Sequence, residues 1–159
     1  MTIHDHIATI GTALTDTFAA LDAWCDAPAD LRHYRPQDGG WTVAEILEHT
    51  ALTNHFLLVL IQKGTRKALQ MAPTADLASE LAAYTFQEQK LTGVGLLHSF
   101  SWVRPEHMEP SGTKPLPEVR QQLLQQLAEC RQVLADLQNG EGVLYRTTMS
   151  VNNLGKITV

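Results

Sequence analysis

Residues 39–58 read GGWTVAEILEHTALTNHFLL, and this stretch decides the fold class. The Gly39-Gly40 pair ends a loop. Thr42 then offers a hydroxyl N-cap with Glu45 three residues later, the spacing of a capping box that opens a helix. That helix is expected to run to about Lys63, ahead of Gly64. Val43, Ile46, Leu47, Thr50, Leu57, Leu60 and Ile61 form its main apolar stripe. Leu52, Phe56 and Val59 widen the stripe, so the helix is expected to be covered on more than one side. Trp41, just ahead of the cap, stands at the position of a hydrophobic staple.

The flanking segments carry the same helical period. Ile3, Ile7, Ile10, Leu14, Phe18, Leu21 and Cys25 recur at steps of three and four, predicting a first helix that stops before Pro28. Residues 28–41, with two prolines and two glycines, read as a loop. Residues 75–91 predict a shorter third helix with Leu77, Leu81, Tyr84 and Leu91 inward. The segment 93–117 is irregular, broken by Gly93, Gly95, Gly112 and four prolines. Irregular segments of this length are often functional or pack across a bundle end. From Pro117 a last strong stripe follows, Val119, Leu123, Leu127, Cys130, Leu134 and Leu137, ending at Asn139-Gly140. The C-terminal EGVLYRTTMSVNNLGKITV holds β-compatible pieces and the turn-like Asn152-Asn153, but no complete helix. The reading is an all-α up-down helical bundle, three long helices plus one shorter helix around 75–91, in a single domain over 1–159.

Composition narrows the function classes. The chain has 159 residues, 44% of them hydrophobic and 18% charged, the balance of a folded domain. Its net charge of −5 argues against nucleic acid or an anionic membrane as the main partner. No apolar run approaches the ~18 residues of a membrane span, and the N-terminus lacks the basic and apolar regions of a secretory signal. Cys25 and Cys130 match no zinc spacing and read as two reduced, buried thiols in a cytoplasmic protein.

Seven histidines are present, His4, His6, His33, His49, His55, His98 and His107. No two have the i,i+3 or i,i+4 spacing that puts a pair of imidazoles on one helix face, so a metal site must be assembled from several segments. His4 and His6 are expected to be exposed. At about 100° per residue from Ile46, His55 falls near 180° and faces solvent, while His49 falls near 300°, between Phe56 and Leu60 in the widened apolar arc. An imidazole there needs a partner, either a hydrogen bond or a metal. Glu45, one turn earlier, is the candidate acceptor or weak ligand. There is no nucleophile elbow, P-loop or dinucleotide fingerprint, and neither cysteine has a basic neighbour in sequence to activate it.

The run from Gly39 to Leu58 resembles the second-helix motif of the DinB-like (DinB/YfiT) metalloenzyme superfamily: a tryptophan, a helix-capping Ser/Thr, then a helix with a histidine eight residues after the tryptophan, here Trp41, Thr42 and His49. The long first helix, the proline-rich 103–117 and the Pro117 to Leu137 helix follow the same order, and NNLGKITV is similar to the lead-in to the family's last helix. The resemblance implies a four-helix bundle in which a divalent metal, often zinc or nickel, is held by one histidine of the second helix and an HxxxH pair of the last. It implies relatives among thiol-dependent transferases, isomerases and hydrolases, and hence a small-molecule or thiol substrate. Only His49 carries over. One residue follows Thr158, the expected N-cap of that final helix, so the three-histidine site is incomplete in this sequence.

Two readings follow. One is a divalent-metal protein with His49 as its recognisable ligand. The other is a non-catalytic, dimeric helical domain for binding or structure, with His49 satisfied in the core. Without the final helix, three long helices leave an apolar groove. Either residues 75–91 fill it or, as expected here, a second copy covers it in a homodimer.

Overall fold

In the computed structural model, residues 2–85, 105–146, 148–151 and 155–158 are described. Helix α1 spans Ile3–Cys25, opened by a capping box between Thr2 and Asp5. A five-residue helix, α2 (Ala29–His33), interrupts the stretch expected to be loop. Helix α3 spans Val43–Met71 and α4 spans Leu77–Ala83. A 3-10 turn at Glu106–Met108 precedes α5 (Leu116–Asp136), and a second such turn follows at Glu141–Leu144. Strands β1 (Thr148–Val151) and β2 (Gly155–Thr158) pair antiparallel, Thr148 opposite Thr158 and Val151 opposite Gly155.

Helix α5 is the axis of the bundle and packs along both α3 and α1, which meet each other less. The core joins Phe18 and Cys25 of α1, Leu47 and Ala51 of α3, and Val119 and Leu123 of α5, with Leu14, Leu21, Val43, Leu116 and Leu127 against them. The α1 and α5 stripes hold as read, except that Ile10 is exposed. Beyond the apolar core, the α3–α5 contact becomes polar. Gln126 and Gln122 both donate to the Ala51 carbonyl, at 2.7 and 3.3 Å, and Gln62 donates to Glu129 at 3.0 Å.

Helix α3 departs from expectation in length and in rotation. It runs through Gly64 to Met71. A helical glycine costs about 1 kcal/mol, and burial of Thr65 and Ala68 beyond it offsets that cost. Measured from Ile46 at about 100° per residue, the buried Leu47, Ala51, Leu58 and Thr65 fall near 100°, 140°, 120° and 100°. The buried face is therefore centred about 80° from the middle of the stripe drawn through the large aliphatic residues, with Leu47 common to both. Ile46 (46%) and Val59 (52%) are exposed. Small residues explain the difference, because Ala51 and Thr65 on this face let the neighbouring elements approach closely.

Other expectations are also corrected. Helix α4 ends at Ala83, with Tyr84 already extended, while residues 86–91 of the expected longer helix lie outside the described residues. Gly155–Thr158, read as the approach to a last helix, is a strand of a hairpin, and Thr158 pairs with Thr148 instead of capping a helix. The β-branched Thr148, Val151, Ile157 and Thr158 favour that outcome. The cysteines are free, Cys25 buried and Cys130 half-buried. No helix of the described residues is long and apolar enough to cross a membrane.

Two predictions follow from this framework. Gly140 opens the 3-10 turn that follows α5 at φ +87°, and a Cβ there would stand 2.7 Å from Ile3 Cγ1 and 2.9 Å from Leu81 Cδ2. Gly140→Ala is expected to destabilise the protein by about 2 kcal/mol in urea unfolding, combining left-handed strain with overlap; a change below about 0.5 kcal/mol would contradict this packing. The capping box of α3 supplies the second. The Glu45 carboxyl is held below its usual range by the Thr42 backbone N–H and then by the Arg35 guanidinium. A depressed folded-state pKa gives stability that is present above the usual glutamate range and lost as pH falls through the depressed value. Glu45→Gln should lower the melting temperature at neutral pH and reduce its further fall in acid, whereas parallel acid profiles would refute the linkage.

Candidate functional site

The first turns of α3 are fixed by the loop that precedes them. Gly39, at φ +80°, closes a turn on the Pro36 carbonyl, and Asp38 Oδ1 accepts the Gly40 N–H. Arg35 donates to the Gly40 carbonyl at 3.1 Å and to Glu45 Oε1 at 2.6 Å. Thr42 and Glu45 then exchange the two bonds of the capping box, as the spacing predicts. Ile46, the residue a staple from Trp41 would meet, is exposed. The Trp41 ring lies 4.7 Å from that of His49, tilted by 49°.

A strap formed by residues 105–114 crosses the flank of α3 that faces away from α5. It is tied by two consecutive residues of the helix. Glu48 is 6% exposed. Its Oε1 accepts the Ser111 N–H at 3.0 Å and the Ser111 hydroxyl at 2.7 Å, and its Oε2 accepts the Gly112 N–H at 3.0 Å. Thr113 N–H donates to the Ser111 oxygen, completing the turn. Gly112 sits at φ +69°, where a Cβ would come within 3.1 Å of Glu45 Oε1. Burying a carboxylate costs several kcal/mol, and three bonds to a charged acceptor, each about 1.5–3 kcal/mol, are of the size needed to offset it.

His49, the next residue, holds the strap at a second point. Its Nδ1 lies 2.6 Å from the Met108 carbonyl oxygen. A carbonyl only accepts, so Nδ1 carries the proton and donates, leaving the lone pair of the neutral ring on Nε2. Nε2 is 3.5 Å from Thr53 Oγ1, which also lies 3.9 Å from Met108 Sδ. The half-buried ring thus turns its lone-pair nitrogen toward the Thr53 hydroxyl, which also reaches the Met108 thioether, and the Trp41 ring lies beside it. Further along the strap, His107 packs edge-on against Phe56 at 4.5 Å.

This geometry corrects the reading of His49 as a residue of the bundle core. Its covering partner is the strap, and its acceptor is a backbone carbonyl. Glu45, the expected acceptor, is committed to Thr42 and Arg35. His55, His4 and His33 are exposed and His6 half-buried, while His98 lies outside the described residues. Glu48 was not singled out from sequence. A glutamate next to the helix's histidine shows no special pattern, and its partners are 63 and 64 residues away. A Ser-Gly turn after a proline was the only available hint.

On the other side of Glu48 a cleft of about 460 Å³ opens between the 33–35 region, the first turns of α3 and residues 112–116, lined by Arg35, Glu45, Glu48, Lys114 and His33 among others. Among the described residues, no group of three or more His, Cys, Asp or Glu side chains is placed to hold a metal ion. For a divalent metal, the donor chemistry of His49 itself fits: metal-bound histidines characteristically donate their other ring N–H to a carbonyl or carboxylate. Glu48 is not a companion ligand, because its oxygens are taken by the strap.

Comparison with curated proteins and with solved structures returns no match. Against protein families, residues 12–158 match the DinB superfamily. That span covers α1 from its second half of turns, the Trp41–His49 motif, the strap, α5 and the hairpin, and with the helical bundle it shows that this chain belongs to the DinB superfamily.

Proposed function

We propose that this chain is a cytoplasmic divalent-metal-binding member of the DinB superfamily, taking zinc or nickel through Nε2 of His49, and that it is related to the thiol-dependent transferases and hydrolases. The observation that supports this reading is the Nδ1–H bond to the Met108 carbonyl. That bond fixes the tautomer a metal requires and orients the ring. A divalent metal bound there supplies a Lewis acid that lowers the pKa of a thiol ligand. The protein's own contribution is to hold the imidazole between Trp41 and the strap, with the Thr53 hydroxyl beside Nε2. The substrate class is a small molecule bearing or accepting a thiol. Two free cysteines agree with a reducing compartment.

A second reading is a dimeric, non-catalytic binding or structural domain. Exposed large apolar side chains on all three long helices, Ile10, Trp24, Ile46, Val59 and Leu124, favour it. In that reading the hydrogen bonds of His49 serve the strap alone.

Zinc and nickel titration of the metal-stripped protein separates the two. The metal reading predicts binding at a defined stoichiometry, weakened at least 10-fold in His49→Ala with the melting temperature of the metal-free protein changed far less than by a core truncation. Absence of binding, or equal binding by wild type and variant, would contradict it. Sedimentation tests the second reading, which predicts a homodimer with or without metal.

A further inference from the structure

We infer that Glu48 is a positioning residue for His49: by anchoring Ser111 and Gly112 it holds the Met108 carbonyl against Nδ1, and so sets which ring nitrogen of His49 keeps a free electron pair. The inference rests on the metal reading only for its affinity consequence. Its structural content stands apart from it.

The two anchor points are close along both elements. Glu48 and His49 are adjacent on α3, where successive side chains diverge by about 100°. On the strap, Glu109 and Pro110 alone separate Met108 from Ser111. Met108 ends the 3-10 turn that starts at Glu106, and Pro110 fixes φ in the short spacer, so little slack remains between the points. Every bond that Ser111 and Gly112 make to α3 is accepted by the Glu48 carboxylate. Moreover, the buried oxygens of Glu48 have no other described role. With Ser111 and Gly112 released, Met108 keeps the 2.6 Å bond to His49 itself and the contact of its thioether with Thr53, while His107 against Phe56 and Lys114 bonded to Gln122 still hold the strap on either side. A free histidine side chain in water prefers its proton on Nε2, so His49 adopts the Nδ1–H form because the carbonyl is kept in place. With that carbonyl displaced, the proton returns to Nε2 and occupies the position a metal needs.

The test reads the tautomer directly in the metal-free protein, by the ¹⁵N shifts of the two ring nitrogens of His49 at a pH where the ring is neutral. Wild type is expected to show the Nδ1–H form. Glu48→Gln, nearly isosteric but presenting an amide N–H to donors, is expected to shift the population toward Nε2–H. Ser111→Ala, which removes only the hydroxyl bond and spares the two backbone bonds, is expected to shift it less. Circular dichroism verifies folding, and the Ser111 variant keeps the test decisive if Glu48→Gln does not fold. A wild-type Nε2–H form, or an unchanged Nδ1–H form in both variants, would overturn the inference. Zinc affinity of the same proteins is expected to fall about 10-fold in Glu48→Gln, in line with losses seen when a partner of a metal-bound histidine is removed. If wild type binds no zinc while the tautomers shift as expected, the metal reading fails and the positioning role stands. If zinc binds equally to all and the tautomers do not shift, the positioning role fails and the metal reading stands.

Discussion

The structure around the candidate site depends on a buried carboxylate meeting a turn of backbone. Glu48 faces away from water, and its oxygens accept two N–H groups and a hydroxyl from Ser111 and Gly112. Without those donors a carboxylate at this position is a serious burden. With them, a segment distant in sequence is fastened across the outer flank of α3. The conformation of that segment then follows: Gly112 takes a positive φ, the 3-10 turn stands over the helix, and the Met108 carbonyl reaches His49.

This arrangement divides α3 into two working faces. One face packs on α5 through Leu47, Ala51 and Leu58, and small side chains there bring the helices close enough for two glutamines to reach a backbone carbonyl. The other face carries Glu48 and His49 under the strap. Because the capping box and the Arg35 bridge fix where α3 begins, both faces are set by the same first turn. The span matched to the DinB superfamily, residues 12–158, takes in both faces of α3.

The helices were legible where strong periodicity coincided with a cap, as at Thr42 with Glu45; the α5 stripe was legible too, though the helix ends at Asp136, ahead of the expected Asn139-Gly140 stop. Rotation was less legible. Counting large aliphatic residues placed Ile46 within the buried arc, whereas close packing on Ala51 and Thr65 turned the helix and exposed Ile46. His49 was singled out correctly as a residue needing a partner, but its surroundings were misassigned, because its cover comes from an irregular segment whose path depends on non-local hydrogen bonds. Glu48 was not legible for the same reason. The terminal strands were legible only as β-compatible pieces, because their pairing with each other leaves no signal in either segment alone.

Amide hydrogen exchange at Ser111 and Gly112 tests most directly whether the buried carboxylate fastens the strap. Both N–H groups belong to a non-helical segment on the surface and would exchange rapidly if they faced only water. The account predicts that both are protected in the native protein to a similar degree, since both donate to one carboxylate and are released together. Exchange of either amide at the rate of an unstructured peptide would contradict it.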